Sequence, residues 1–145
     1  MTYQRFGWLA LRITIGWYFA YAGISKLLDA SWSAAGYLTH AQTFSGFYNW
    51  LASPSLLPIT NVVNEWALLL IGLSLIFGIF LKWTAPAGAA LMLLYYFPVL
   101  NFPLVGEHAW VVDEHLIYAS ALLLIAAFHQ KNPAWFARCC GQKTG

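Results

Sequence analysis

Charged side chains are scarce in this sequence. Seven Lys and Arg and five Asp and Glu make up 8% of its 145 residues. A soluble domain carries about 25%, so an aqueous globular fold is excluded. The net charge of +2 is too small and too dispersed for a nucleic-acid partner. Cysteine is nearly absent too, with only Cys139 and Cys140 present. Sequence neighbours rarely pair with each other, so no disulfide framework is expected. The two are read as free cytoplasmic thiols, with palmitoylation or an intermolecular role as the alternative. There is no CxxCH, no cysteine quartet and no glycine-rich dinucleotide turn. Haem, iron–sulfur and flavin therefore lack ligands, and neither a metal nor a covalently bound cofactor is expected.

What fills the chain instead is apolar. Hydrophobic residues reach 61% and aromatics 18%, with eight Trp. Such aromatics suit membrane-interface belts, and also a flat ring-shaped ligand. Residues 61–82 form the defining stretch, uncharged from Trp66 to Leu81. At about 1.5 Å per residue, roughly 20 residues cross a bilayer core. The expected fold is an all-α membrane protein, one domain over residues 1–145. It is a four-transmembrane-helix bundle with spans at about 6–28, 61–82, 84–99 and 111–129. Arg5 and Ala20-Tyr21-Ala22 mimic a signal peptide, but Arg12 interrupts its apolar core, so the segment is read as a span. Gly16, Gly23, Ala85, Gly88 and Ala89 offer small faces for close packing. Lys82-Trp83 is expected to form the turn between the second and third spans. Pro86 falls in a first turn, where proline is tolerated. Pro98 and Pro103 are expected to end the third span, before a short loop with Glu107 and His108.

The connection between the first two spans is too long for a bare loop. Phe44, Phe47, Tyr48 and Leu51 follow the i, i+3, i+4, i+7 pattern of an amphipathic helix. Thr43 is placed to cap it and Ser53-Pro54 to end it, with a second short helix over about 33–41. An extracytoplasmic amphipathic helical lid is expected over about 31–53. Arg5, Lys82, Lys131, Arg138 and Lys143 flank one side and Lys26 the other. The positive-inside rule then puts both termini in the cytoplasm of a multi-pass inner-membrane protein.

In that topology the polar residues gather at the outer end. Lys26, Asn64, Glu65, Asp113, Glu114 and His115 fall there, and Tyr118 follows Glu114 at i+4. Glu65 is the anomaly of the central stretch. A carboxylate at mid-membrane costs about 2.5–3.5 kcal/mol, and less near an end. Convergent polar groups in an apolar pocket suit a quinone headgroup, with Glu65, His115 and Glu114 exchanging protons. Arg12, Lys26, Asn64, Asp113 and Tyr118 are the candidate headgroup or positioning residues. A purely structural reading stands beside this one. Glu65, Asp113 and Glu114 would cap first turns, and Lys26 would sit at a helix C-terminus. Arg12, about 9 Å inside its helix, would snorkel to cytoplasmic phosphates; the rival reading is an inward-facing Arg bound to helix-end carbonyls or an anion.

Several stretches also resemble a known family. LRITIGWYFAYAGISKLLD resembles the first helix of DoxX-like proteins, with its Leu-Arg start and Gly-x-x-Lys end. SWSAAGYL, NEWALLLIGLSLIFGI and TAPAGAALMLLYY are similar to the segments that follow, and the likeness covers about residues 8–128. The closest flavour is the DoxD-type small subunit of thiosulfate:quinone oxidoreductase. The resemblance implies four membrane helices and a place in a membrane redox system, with quinone as substrate and other redox subunits as partners. Arg12, Lys26, Asn64 and Glu65 occupy the family's motif positions. The alternative is a non-catalytic accessory or anchoring subunit of a larger respiratory complex. A small transporter or lipid-binding protein is a third reading.

Overall fold

The computed structural model describes residues 3–106 and 109–131. Glu107, His108, Arg138, Cys139, Cys140 and Lys143 lie outside them, as does the Lys131 side chain. Six helices carry the described chain: α1 (Tyr3–Leu28), α2 (Ala35–Thr39), α3 (Ser45–Leu51), α4 (Leu57–Phe77), α5 (Leu81–Val99) and α6 (Glu114–Lys131). Three two-residue strands, β1 (Leu100–Asn101), β2 (Leu104–Val105) and β3 (Ala109–Trp110), lie between α5 and α6. They form an antiparallel meander, with Leu100 opposite Val105 and Leu104 opposite Trp110.

α1 packs along α4 and α5 along α6, and a narrower α4–α5 contact joins the two pairs. Phe19, Leu75, Leu81, Leu122 and Ile125 are fully buried between them. The α1–α4 contact is made at the backbone. A Cβ at Gly72 would stand 2.3 Å from the Ala20 nitrogen, and one at Gly23 would stand 2.6 Å from the Leu69 nitrogen. Gly16 meets the Leu75 Cβ in the same way, at 2.9 Å. Small residues on both partners let the helices approach closely, which maximises dispersion contact where lipid supplies no hydrophobic drive.

Several boundaries differ from the sequence expectation. α4 begins at Leu57 rather than Asn61, because Pro58 sits in its first turn, where the ring's fixed φ favours the helix. Glu65 therefore lies roughly two turns inside α4, and it is not a first-turn capping carboxylate. The helix stops at Phe77, five residues before Lys82. Gly78 adopts φ 75° and returns its N–H to the Ser74 carbonyl at 2.8 Å. The Ser74 hydroxyl bonds the Ile79 carbonyl and the Thr84 hydroxyl, fastening the turn to α5. That turn spans residues 78–80, so Lys82 and Trp83 open α5 instead of forming it. α6 starts at Glu114 rather than Val111, because Val111 has φ 57° and Asp113 caps the helix from outside it, after the strands. Two-residue strands are too short to leave a periodic signal, which is why the region reads as a plain loop.

Pro98 does not end α5 but lies inside it. Lacking an N–H, it leaves the Leu94 carbonyl without a helical donor. The Tyr48 hydroxyl takes that place at 2.9 Å. The Tyr37 hydroxyl donates to the neighbouring Tyr95 carbonyl. The Gln42 N–H reaches the Pro98 carbonyl at 2.9 Å, and the Thr43 hydroxyl reaches Leu100 at 2.6 Å. Thr43 thus ties its segment to the end of α5 and does not cap α3. Ala34, Leu38, Ala41 and Tyr48 form a small core of their own, with Trp32, Leu51 and Phe97 packed on it. Nearby, the Ser31 hydroxyl and N–H hold the Asp29 carboxyl below its usual range.

This packing can be tested at its tightest and loosest glycines. Gly72→Val forces α1 and α4 apart and should cost about 1–3 kcal/mol, read as a lower unfolding temperature in detergent. Gly7→Ala meets nothing within 4 Å and should be neutral or slightly stabilising, by less than about 1 kcal/mol. Burial pushes the phenols of Tyr37 and Tyr48 up. Their protons are held more tightly folded than unfolded, so their contribution is intact below about pH 10 and is lost as pH rises further. Amide exchange in α2 and α3 should therefore accelerate selectively above that pH. A Tyr37→Phe, Tyr48→Phe double variant should flatten the pH dependence.

Candidate functional site

A cavity of about 320 Å³ opens where α1, α4, α5 and α6 meet beneath α2. Each helix contributes residues at helical spacing. Tyr18, Ala22 and Lys26 come from α1, Thr60, Asn64 and Leu68 from α4, Met92 and Tyr95 from α5, and His115 and Tyr118 from α6. Trp32, Tyr37, Leu38 and Leu51 close the side toward α2 and α3. The walls are chiefly aromatic. Tyr18 and Tyr118 lie with ring centroids 5.0 Å apart, and Tyr95 presents an edge contact to His115 at 6.0 Å.

Polar groups punctuate these walls. The His115 Nδ1 meets the Asp113 carboxylate at 2.5 Å. The other Asp113 oxygen accepts the backbone N–H groups of His115 and Leu116 at 3.1 and 3.2 Å. Asp113 thereby caps α6 and orients the imidazole at once, leaving Nε2 as the other ring nitrogen. Lys26 lies over the Trp32 ring at 5.3 Å, with its ammonium 3.5 Å from the Ala22 carbonyl. Among the groups of the wall, Asn64 Oδ1 and the Tyr95 hydroxyl are closed off from solvent. The two side chains lie within hydrogen-bonding reach of each other.

The structure brings four of the expected residues, Lys26, Asn64, His115 and Tyr118, to one cavity. Asp113 acts on it through His115. Glu65 is half-buried beside it, and its charge reaches Lys26. Glu114 is exposed at the start of α6. Arg12 belongs elsewhere, at the opposite end of α4. Its guanidinium donates to the Ile76 carbonyl at 3.3 Å and lies over the Trp8 ring at 4.8 Å. It fills the space beside Gly78, where a Cβ would come within 2.5 Å of it. A cation on helix-end carbonyls is favoured by the macrodipole. Sequence reasoning missed Tyr18, Thr60, Met92 and Tyr95. Helical spacing held the signal, because Tyr18, Ala22 and Lys26 recur at i+4, as do Thr60, Asn64 and Leu68. Among the described residues no three His, Cys, Asp or Glu side chains gather as metal ligands. The arrangement suits a flat ring that needs hydrogen bonds at a few points.

The family comparison bears on the helices that build this cavity. Residues 7–100 match the model of the family described as DoxX. The chain belongs to the DoxX family. That family is membrane-embedded. The match runs from α1 to the end of α5 and includes every cavity residue except His115 and Tyr118. Within this DoxX chain, α4 is the described helix long and apolar enough to cross a bilayer by length and composition. α1 carries Arg5, Arg12 and Lys26 and many Tyr and Trp, and the apolar part of α6, Glu114–His129, is shorter. No curated protein and no solved structure matches the chain.

The dual role of Asp113 can be tested directly. Asp113→Ala should cost about 0.5–2 kcal/mol through the lost cap and speed amide exchange at His115 and Leu116. Asp113→Asn keeps an N-capping oxygen and should retain most of that protection.

Proposed function

We propose that the chain is a quinone-interacting membrane subunit of an oxidoreductase. The observation that carries this reading is the aromatic cavity of about 320 Å³ with Lys26 and His115 in its wall. Quinone headgroups are flat, apolar at the ring and polar at the carbonyls. The Lys26 ammonium is a donor for those carbonyls. His115, held by Asp113, exchanges protons with the headgroup, and Glu65 and Glu114 connect it to water. Reduction of a quinone takes two electrons and two protons. The protons pass through these side chains, and the electrons come from a partner redox subunit. A DoxD-type thiosulfate:quinone oxidoreductase is the specific assembly proposed.

The membrane arrangement is part of the same proposal. α1, α4, α5 and α6 are the four spans, and α2 with α3 form the lid over the outer mouth. Large apolar side chains on the helix exteriors support this, among them Leu70, Phe77, Ile117 and Leu124, each more than half exposed. Lipid is the solvent such surfaces fit. Arg5 and Lys82 lie at one end of the bundle and Lys26 toward the other, which supports cytoplasmic termini. An anchoring role in a larger respiratory complex is the second reading. The aromatic exterior of α1 favours it, with Trp17 and Tyr21 both about two-thirds exposed.

The test is purification of the intact chain in gentle detergent, followed by identification of bound quinone and stoichiometric partners. Bound quinone with a redox partner supports the first reading, and a respiratory complex without quinone on this subunit supports the second. In the assembled complex, Glu65→Gln should lower quinone turnover without lowering expression. Unchanged turnover would remove Glu65 from the proton path.

A further inference from the structure

A membrane quinone joins a flat headgroup to a long apolar tail, and the cavity has room for one of the two. At about 320 Å³ it stands at the small end of small-molecule sites, which run to about 1,000 Å³. It takes a headgroup, so the tail has to leave. Methylenes left in water are costly, so the exit has to face lipid. Four seams between neighbouring helices are candidates, and three are shut at the height of the cavity. Between α1 and α4, Gly23 lies against the Leu69 backbone, next to Ala22 and Leu68 of the wall. α5 and α6 pack along their length, with Gly88 on Leu122 and the Tyr96 hydroxyl on the Val111 carbonyl. α3 covers the seam between α4 and α5. Its Tyr48 bonds the Leu94 carbonyl on one side, and its Leu51 carbonyl accepts from Thr60 on the other.

The seam between α1 and α6 is built differently. The two helices touch only slightly, and aromatic rings close the gap. At the end toward the α4–α5 turn, Trp8 stacks on Phe128 at 5.5 Å. About three turns along α1, Tyr18 meets Tyr118 at 5.0 Å, with the side chains within hydrogen-bonding reach. These two rings line the cavity. Tyr18 is also 46% exposed, and Trp17 beside it and Ile117 on α6 are exposed too. One pair of side chains therefore stands between the cavity and the lipid. Exposed side chains change rotamer within nanoseconds. Leaving past α2 and α3 would instead break the bonds of Tyr37, Thr43 and Tyr48 to α5 and β1 carbonyls. We propose that the ligand enters sideways from the bilayer between α1 and α6, with Tyr18 and Tyr118 as the gate, and that its tail lies in that seam while the headgroup is bound. The inference rests on the quinone reading and the four spans proposed with it. It narrows the ligand to an amphiphile dissolved in the bilayer, in place of a water-borne ring.

The experiment is photolabelling of the full chain in lipid nanodiscs. The probe is a ubiquinone headgroup on a decyl tail that ends in a diazirine, and decylubiquinone is the competitor. Labelled peptides are identified by mass spectrometry. The label should fall on α1 and α6 beside Tyr18 and Tyr118, and excess decylubiquinone should abolish it. Competed label on α2 or α3, or on α4 and α5 alone, would overturn the inference and leave the quinone reading standing. If decylubiquinone competes nowhere, the quinone reading falls and this inference falls with it. A chase tests the gate: bound probe is mixed with excess decylubiquinone and flashed after set delays. Tyr18→Ala should speed the loss of label by roughly three- to tenfold, because the ring contact that closes the seam is gone. Thr43→Val frees the segment above the cavity from Leu100 and should not speed it. The reverse pattern would overturn the inference. The wild-type label decides the matter even if Tyr18→Ala does not fold.

Discussion

The backbone contact between α1 and α4 is the constraint on which the architecture depends. At Gly72 the two helices are so close that no side chain of any size fits between them. Helices held at that separation are fixed in rotation as well as in distance, because only one face of each is small enough. That rotation turns Lys26, one helical turn past Ala22, and Asn64, about two turns before Gly72, toward a common space. The cavity is thus a consequence of where the glycines stand. α5 and α6 close it from the other side, with Gly88 packed against Ile71 and Leu122.

A second theme is the reuse of freed backbone groups. Prolines and helix ends leave carbonyls that water cannot reach in an apolar interior. Here other groups of the chain take them up. Tyr48 serves Leu94, Arg12 serves Ile76, and the Gln42 N–H serves Pro98. Polar residues that look out of place in an apolar sequence are largely explained by these carbonyls. Those not so explained, Asn64 above all, stand at the cavity.

Much of this was legible in the sequence, and the parts that were not share physical causes. Apolar runs and small residues revealed the long helices, and the aromatic pattern from Phe44 to Leu51 marked α3. Lys26, Asn64, His115 and Tyr118 were found because polar residues in an apolar chain are conspicuous. Tyr95 and Tyr18 were not, because an aromatic in a membrane-like sequence has no contrast with its background. Helix ends were missed where the deciding contact is tertiary. Ser74 closes the α4–α5 turn through Thr84, a partner ten residues away. Arg12 was conspicuous but could not be placed, since its partner, the Ile76 carbonyl, carries no side-chain signature.

Tyr95 has a position with its own consequence. Its side chain lines the cavity, while its carbonyl holds the Tyr37 hydroxyl of α2. One residue therefore forms both the wall of the chamber and the latch of the segment above it. The two ends share a rigid helical backbone, so the wall cannot shift without disturbing the latch. Filling the chamber and fastening its cover are linked equilibria, and each must bias the other by the same free energy.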